Sequence, residues 1–407
     1  MTGENNIFSL VEGASPLERA KLALCAARQY QEDWLEHGVD RVHLYFDDVE
    51  GDWLESIEEI TVDSSSEIPL GVTLSEVIAQ LKSLGLSKSF IEKIAFPSWY
   101  NHEYQDNEVI ISKILKSICK RLFLKINYQD SSSFSLSFLP IPAIKSKLQI
   151  TQTNSTLFSY LVRSVAYTVI EVGKLNYSSV PSDALVLRNS ILKINSCVNL
   201  NSLIKYCWNA GIPVVHLDFN LYFNKKFGHT KFDGFVVIPG NKTPVIVIGS
   251  SRKYSAWLLF ILAHELGHIA LGHLQQGILS DESFQDGQTD EEENDANQFA
   301  QRLLFGDINL VWSENLNSQR LLRKVIYLSE EHKIDPGVLI LNYAWQTGNW
   351  GCAMKTMKNL EPRANAPADI NAYCQRRLEE IGYIDQESKD YLEKINILVS
   401  EHPEVYN

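Results

Sequence analysis

The stretch Trp257-Leu-Leu-Phe-Ile-Leu-Ala-His264-Glu265-Leu-Gly-His268 decides how this chain is read. Its first turns, from Trp257 to Leu262, are apolar on every side, which predicts a helix buried all round rather than one lying on a surface. At 100° per residue, His264 and His268 fall only about 40° apart on that helix, so both imidazoles can reach one ion. Neutral imidazole suits Zn²⁺, and Glu265 projects beside the ion, within reach of a proton on water. Three ionisable groups in an apolar helix are costly unless a metal or hydrogen bonds compensate them. The apolar run from Ala256 to Ala263 is too short to span a bilayer.

A hydrolytic zinc site needs a third protein ligand and one open position. In peptidases with three histidines, the third sits ten residues after the first and follows a glycine; here Leu274 and Leu271 occupy the two places, which excludes that class. His273 falls about 140° from His268 around the helix, which suits an outer partner or a surface histidine better than a ligand. The next helix is expected to begin at Thr289, where Thr289-Asp-Glu-Glu292 matches a capping box and gives Glu292 a structural role. Asp290 and Glu291 read as charges favoured at a helix N-terminus. Ala296, Phe299, Ala300, Leu303 and Leu304 form the buried stripe of that helix, with Glu293 and Asn297 one turn apart near the same face and Asp295 pointing away. Glu293 can therefore turn inward, and Asn297 can orient it or the histidines.

Upstream, a helix near Leu200 to Ala210 feeds a strand through Gly211-Ile-Pro213-Val-Val215. Asp233 to Ile238 and Pro244 to Ile248 are β-branched and aromatic runs, and the loop Pro239 to Thr243 between them favours an antiparallel hairpin. Downstream, Ser318 to Leu328, Pro336 to Trp345, Ile370 to Ile381 and Ser388 to Val399 read as helices. The fold class expected is α+β: a mainly helical chain around a compact core of small antiparallel sheet plus metal-binding helix.

Farther out, Pro16 to His37 reads as a helix framed by Ser15-Pro16 and Gly38, and Arg41 to Phe46 as a short strand. A boundary falls near Ile68-Pro69. From Thr73, the helical spacing of Leu74, Val77, Ile78, Leu81 and Leu84 ends at Gly85, and a second helix with Phe90, Ile91 and Ile94 starts after Ser87, the outline of a helix-turn-helix. Residues 82 to 125 hold eight Lys or Arg against four Asp or Glu, a local basic excess that makes residues 73–125 a candidate DNA contact. Ser131 to Ser135 is a serine-rich joint, and the helical pattern from Thr156 to Leu175 is expected to link or dimerise. The units expected are 1–68, 69–130, 131–198, 199–315 for the catalytic core and 316–407 as a helical C-terminal unit.

With 407 residues and 45% apolar content, the chain can fill two or three folded units. Its formal charge of −13 excludes broad binding to phosphate backbones. The six cysteines, Cys25, Cys119, Cys197, Cys207, Cys352 and Cys374, form no Cys-x-x-Cys pair, so free thiols are expected. No apolar stretch near the start has the flanks of a signal peptide, and a cytoplasmic protein without membrane attachment is expected.

Gly211-Ile-Pro-Val, the hairpin ending Pro244-Val-Ile-Val-Ile, Leu262-Ala-His-Glu-Leu-Gly-His268 and Glu293-x-x-Ala296-Asn-x-Phe-Ala300 together resemble the ImmA/IrrE metallopeptidases over roughly residues 199 to 310. The resemblance implies a compact α/β zinc-peptidase fold and zinc held by His264, His268 and Glu293. It also implies Glu265 as general base and cleavage or other inactivation of a repressor encoded beside the gene. The upstream Leu84-Gly-Leu-Ser87 and Phe96-Pro-Ser-Trp-Tyr100 region looks like a diverged helix-turn-helix that some members carry. Members often have a proline after the Leu-Leu closing the second metal helix; here Leu303-Leu304 is followed by Phe305-Gly306.

A substrate chain is expected to add as a strand to Pro244–Ile248 if that strand lies at the cleft edge. His229 and Tyr254 are the candidate oxyanion partners. The rival expectation is a DNA-binding regulator or antitoxin-like protein whose zinc fold senses a partner without proteolysis.

Overall fold

Four short strands and two antiparallel helices place the functional residues. The computed structural model describes residues 72–100, 107–128, 133–138, 152–219, 232–238, 243–273, 278–282, 291–312 and 315–399. All of these lie in one compact unit, Ser56–Asn407. The expected helix Pro16–His37, the strand Arg41–Phe46, the boundary near Ile68, Cys25, His229, most of the Pro239–Thr243 loop and the cap at Thr289 fall outside the described residues.

The chain enters through α1 (Leu74–Ser83), whose N-cap Thr73 accepts from the Glu76 amide while Glu76 reaches back to the Thr73 amide. Gly85 takes φ +90°, a left-handed turn that costs glycine little. The expected second helix follows as α2 (Lys88–Phe90), capped by Ser87 and continued by a π-helical turn at Ile91–Ala95. Helix α3 (Glu108–Leu122) then buries Ile111, Ile114, Leu115, Ile118 and Leu122.

The serine-rich segment is more than a joint: β1 (Leu124–Tyr128) and β2 (Phe134–Phe138) pair antiparallel across it. Phe134-Ser-Leu-Ser-Phe138 alternates with the period of a strand. Helix α4 (Gln152–Gly173) buries Leu161, Val162, Val165, Ala166, Val169 and Val172. The stripe expected to link or dimerise is thus covered by the chain's own core.

Helix α5 (Ala184–Leu192) was not foreseen, because its apolar residues show little amphipathic separation. It leads to α6 (Leu200–Asn209), where Asn199 and Ser202 form a reciprocal cap. Gly211, at φ +74°, permits the tight exit, since a Cβ there would lie 2.1 Å from the Asn176 carbonyl oxygen.

The central sheet contains β3 (Val214–His216), β4 (Phe232–Val237), β5 (Val245–Ile248) and β6 (Ile278–Glu282) in the order β3-β5-β4-β6. The β4/β5 hairpin is antiparallel as expected, with Phe235 opposite Val247. Strand β5 does not lie at an edge. It also pairs parallel with β3, Val214 opposite Ile246, and all four of its residues are buried, as a strand covered on both faces should be. The expected addition of a substrate strand to Pro244–Ile248 is therefore blocked by the chain itself. Strand β6, whose Ile-Leu-Ser-Asp-Glu sequence lacks a strand-like pattern, owes its conformation to pairing with β4.

Helices α7 (Ser255–Ala270) and α8 (Glu291–Phe305) pack closely, and their approach rests on Gly267. A Cβ there would lie 3.2 Å from both Cα and O of Ala296. The end of α8 explains the Phe305-Gly306 departure: Gly306 has φ +70°, the left-handed conformation that closes a helix.

Helices α9 (Ser318–His332), α10 (Pro336–Thr347), α11 (Trp350–Leu360), α12 (Ala366–Glu379) and α13 (Gln386–Lys394) complete the chain. Helix α11 was not foreseen, and α13 ends before the expected Val399, with Asn396 at φ 57°. Two buried arginines tie the segments together. Arg188 of α5 donates to the carbonyls of Leu303, Leu304, His332 and Lys333 at 2.8 to 3.0 Å, closing α8 and α9 at once. Arg121 of α3 pairs with Asp390 of α13 at 2.7 Å.

Candidate metal centre

Helix α7 presents His264 and His268 toward the first turn of α8, which presents Glu293. The two Nε2 atoms are 3.1 Å apart. Glu293 Oε2 lies 3.3 Å from His264 Nε2, and its Oε1 lies 3.5 Å from His268 Nε2. A tetrahedral zinc with bonds of about 2.0–2.1 Å needs donors about 3.3 Å apart, so these donors fit one ion. The two histidines are each 2% exposed, while the Glu293 side chain is 29% exposed, so the cluster opens on the α8 side.

The outer hydrogen bonds identify which imidazole nitrogens face the centre. His264 Nδ1 lies 3.0 Å from the Asn297 amide oxygen, which can only accept, so Nδ1 carries the proton and Nε2 keeps its lone pair. His268 Nδ1 lies 3.0 Å from His273 Nδ1. His273 is thus an outer partner to a histidine of the cluster, reached from beyond the end of α7 past Gly272 at φ +72° and not along the helix itself. Burial first, and then the neighbouring His264, push His268 down to about 4; Glu293 opposes them, and His273 adds a smaller push down. His268 is neutral at pH 7 and offers a lone pair. With both Nδ1 atoms bonded outward, the two Nε2 atoms face the Glu293 carboxylate, a donor set that suits a cation.

Glu265 is 1% exposed and lies about 100° around α7 from His264, on the side facing β4. Gly234 of β4 makes room for it: a Cβ there would fall 2.5 Å from Glu265 Oε1 and 2.7 Å from Ile261 Cγ2. At the same point β4 bulges against β6, so that Asp233 and Gly234 together oppose Asp281. Sequence reasoning did not single out Gly234, although an isolated glycine in a strand pattern signals a bulge or a close approach.

Of the other candidates, Asp295 is exposed, as expected, and Glu292 is half-buried. Tyr254 is the N-cap of α7, about 15 Å along the axis from His264, too far to meet a developing oxyanion. Among the described residues, no second group of His, Cys, Asp or Glu could hold a metal, and no helix is long and apolar enough to cross a membrane.

Residues 207–333 match the family model of the IrrE N-terminal-like domain, a peptidase family. The match begins in α6, spans the sheet and both helices of the cluster, and ends at the Arg188-held terminus of α9. No curated protein and no solved structure matches the chain.

Proposed function

We propose, from residues 207–333 as a domain of the IrrE N-terminal-like peptidase family, that this protein is a zinc-dependent endopeptidase cutting a regulatory protein of repressor type. The observation that carries the reading is the set of three donor atoms spaced 3.1 to 3.5 Å apart, with the buried Glu265 carboxylate on the helix of the two histidines. His264, His268 and Glu293 would hold the ion. When bound, zinc supplies Lewis-acid polarisation of a carbonyl oxygen and lowers the pKa of water. Glu265 takes the proton from the attacking water on its carboxylate and delivers it to the leaving amine nitrogen. Gly234 lets that carboxylate lie against β4, and Asn297 and His273 orient the two imidazoles. The resemblance to repressor-inactivating metallopeptidases supports the substrate class.

The test is the zinc content of wild-type, Glu265→Gln and His264→Ala proteins, followed by incubation with repressor-type proteins encoded beside the gene. One zinc in the wild type and in Glu265→Gln, little in His264→Ala, and cleavage by the wild type alone are expected. Cleavage that survives Glu265→Gln would overturn the mechanism.

A second reading, a DNA-binding regulator, is favoured by α1, the Gly85 turn and α2. Against it, the second helical piece is short and buries Phe90, Ile91, Ile94 and Ala95, and Arg121 is taken up by Asp390. A mobility shift on the gene's own promoter, lost on reversing Lys88 and Lys93 to Glu, would bring it forward.

A further inference from the structure

The slot that receives Glu265 lies where β4 departs from regular pairing. The bulge at Asp233 and Gly234 interrupts the ladder to β6, and a bulge leaves its extra residue without a ladder partner. Gly234 also offers α7 no side chain to interlock with, although its Cβ position falls 2.5 Å from Glu265 Oε1 and 2.7 Å from Ile261 Cγ2. A carboxylate placed this closely needs the strand held in register with the helix.

Arg252, in the connection between β5 and α7, supplies a tie. It donates through Nη1 to Asp233 Oδ1 at 2.9 Å, and its guanidinium carbon lies 4.5 Å from the centroid of the Trp257 ring. Trp257, Ile261 and Glu265 follow one another at four-residue spacing along one side of α7, within about 80° around the helix. Strand and helix are therefore joined at both ends of that row, by Gly234 at Ile261 and Glu265 and by the arginine bridge at Trp257. The anchors of the bridge are themselves fixed. The Asp233 carbonyl accepts from the Gly249 amide at 3.1 Å. Trp257 stacks on Trp350 of α11 with centroids 5.9 Å apart and planes 10° from parallel, and Trp350 meets Trp345 edge-on at 5.3 Å. The Arg252 side chain is 43% exposed and that of Asp233 20%, so the ion pair adds little stability. What a planar guanidinium gives, paired to a carboxylate while lying on an indole, is direction.

We propose that Arg252 is a positioning residue for the general base: through Asp233 and Trp257 it holds the β4 bulge in register with α7, so that the Glu265 carboxylate stays in the slot at Gly234. The inference rests on the peptidase reading and adds to it two residues, Asp233 and Arg252, that lie outside the donor set.

Acetohydroxamate tests this without a protein substrate. A hydroxamate binds zinc as its anion and leaves its proton with a neighbouring base, so its affinity reports where the Glu265 carboxylate lies. The full chain loaded with zinc is titrated in a calorimeter as wild type, Glu265→Gln, Arg252→Met, Arg252→Lys, Asp233→Asn and the double variant Arg252→Met with Glu265→Gln. Equal zinc content throughout is expected, with affinity about tenfold weaker in Glu265→Gln, Arg252→Met and Asp233→Asn. Arg252→Lys, which keeps a cation for both the carboxylate and the ring, should recover most of the loss. The double variant should bind no more weakly than Glu265→Gln alone, because both changes act through one carboxylate. Should Arg252→Met not fold, Asp233→Asn, nearly equal in shape to the native residue, carries the same expectation. Wild-type affinity in the Arg252 and Asp233 variants, or a full added loss in the double variant, overturns the proposal and leaves the peptidase reading standing. Wild-type affinity in Glu265→Gln, or a wild type that takes up no zinc, removes the peptidase reading and the positioning role with it.

Discussion

Gly234 and Glu265 share one space: the place a Cβ would occupy on Gly234 lies 2.5 Å from Oε1 of the glutamate. A carbon and an oxygen that are not bonded to each other do not tolerate that separation, so the Glu265 carboxylate keeps its position only while β4 lacks a side chain there. The carboxylate cannot be understood from α7 alone. Its place depends on a strand 31 residues earlier in the chain, at a bulge where two β4 residues face one on β6.

Gly234→Ala is expected to displace the Glu265 carboxylate without touching the three metal donors. Peptidase turnover should fall about a hundredfold, the usual consequence of misplacing a catalytic group by about an ångström, while bound zinc stays at the wild-type level. Turnover unchanged by the substitution would show that Glu265 does not act from this position.

Asn297 and His273 hold the Nδ1 atoms of the two cluster histidines at 3.0 Å each. Replacing either with alanine should weaken zinc binding about 10- to 100-fold in a chelator competition. Asn297→Asp and His273→Gln, which keep an acceptor, should recover most of it. Equal loss in the alanine and acceptor-bearing variants would assign these residues to packing alone.

Arg188 satisfies four carbonyls at two helix ends from a site 5% exposed. Arg188→Met keeps most of the volume and leaves those acceptors without their donor. Hydrogen bonds from a charged donor are worth about 1.5–3 kcal/mol each and do not add fully, so a loss of about 3 kcal/mol or more is expected in urea unfolding. A loss below about 1 kcal/mol would mean that water replaces the guanidinium freely.

Asp335 caps α10 by accepting from the amides of Gly337 and Val338, and burial raises its carboxyl from 3.8 to about 6. The folded state therefore holds a proton that the unfolded chain releases near pH 4. The stability this provides is complete below pH 4 and is lost as pH rises through about 6. Asparagine keeps the capping oxygen but carries no charge, so Asp335→Asn should gain stability relative to the wild type between pH 4.5 and pH 7. Denaturation curves at the two pH values check the sign; a relative loss at pH 7 would show that the ionised cap is favoured.

What the sequence determined by itself is the chemistry held within single helices. The His-Glu-x-x-His turn and the inward Glu293 follow from 100° per residue and from which positions are apolar, and a helix carries those relations wherever it packs. The hairpin partner of β5 was legible for the same local reason, since a short loop joins neighbours. Everything that depends on two distant segments was decided by the tertiary structure. The parallel pairing that makes β5 central, the pairing that turns Ile278–Glu282 into a strand, the gap at Gly234, the four carbonyls gathered by Arg188 and the alignment of Trp257 with Trp350 and Trp345 all join residues that no periodicity connects. Backbone hydrogen bonds and close packing are satisfied between elements, and only the fold determines which elements meet.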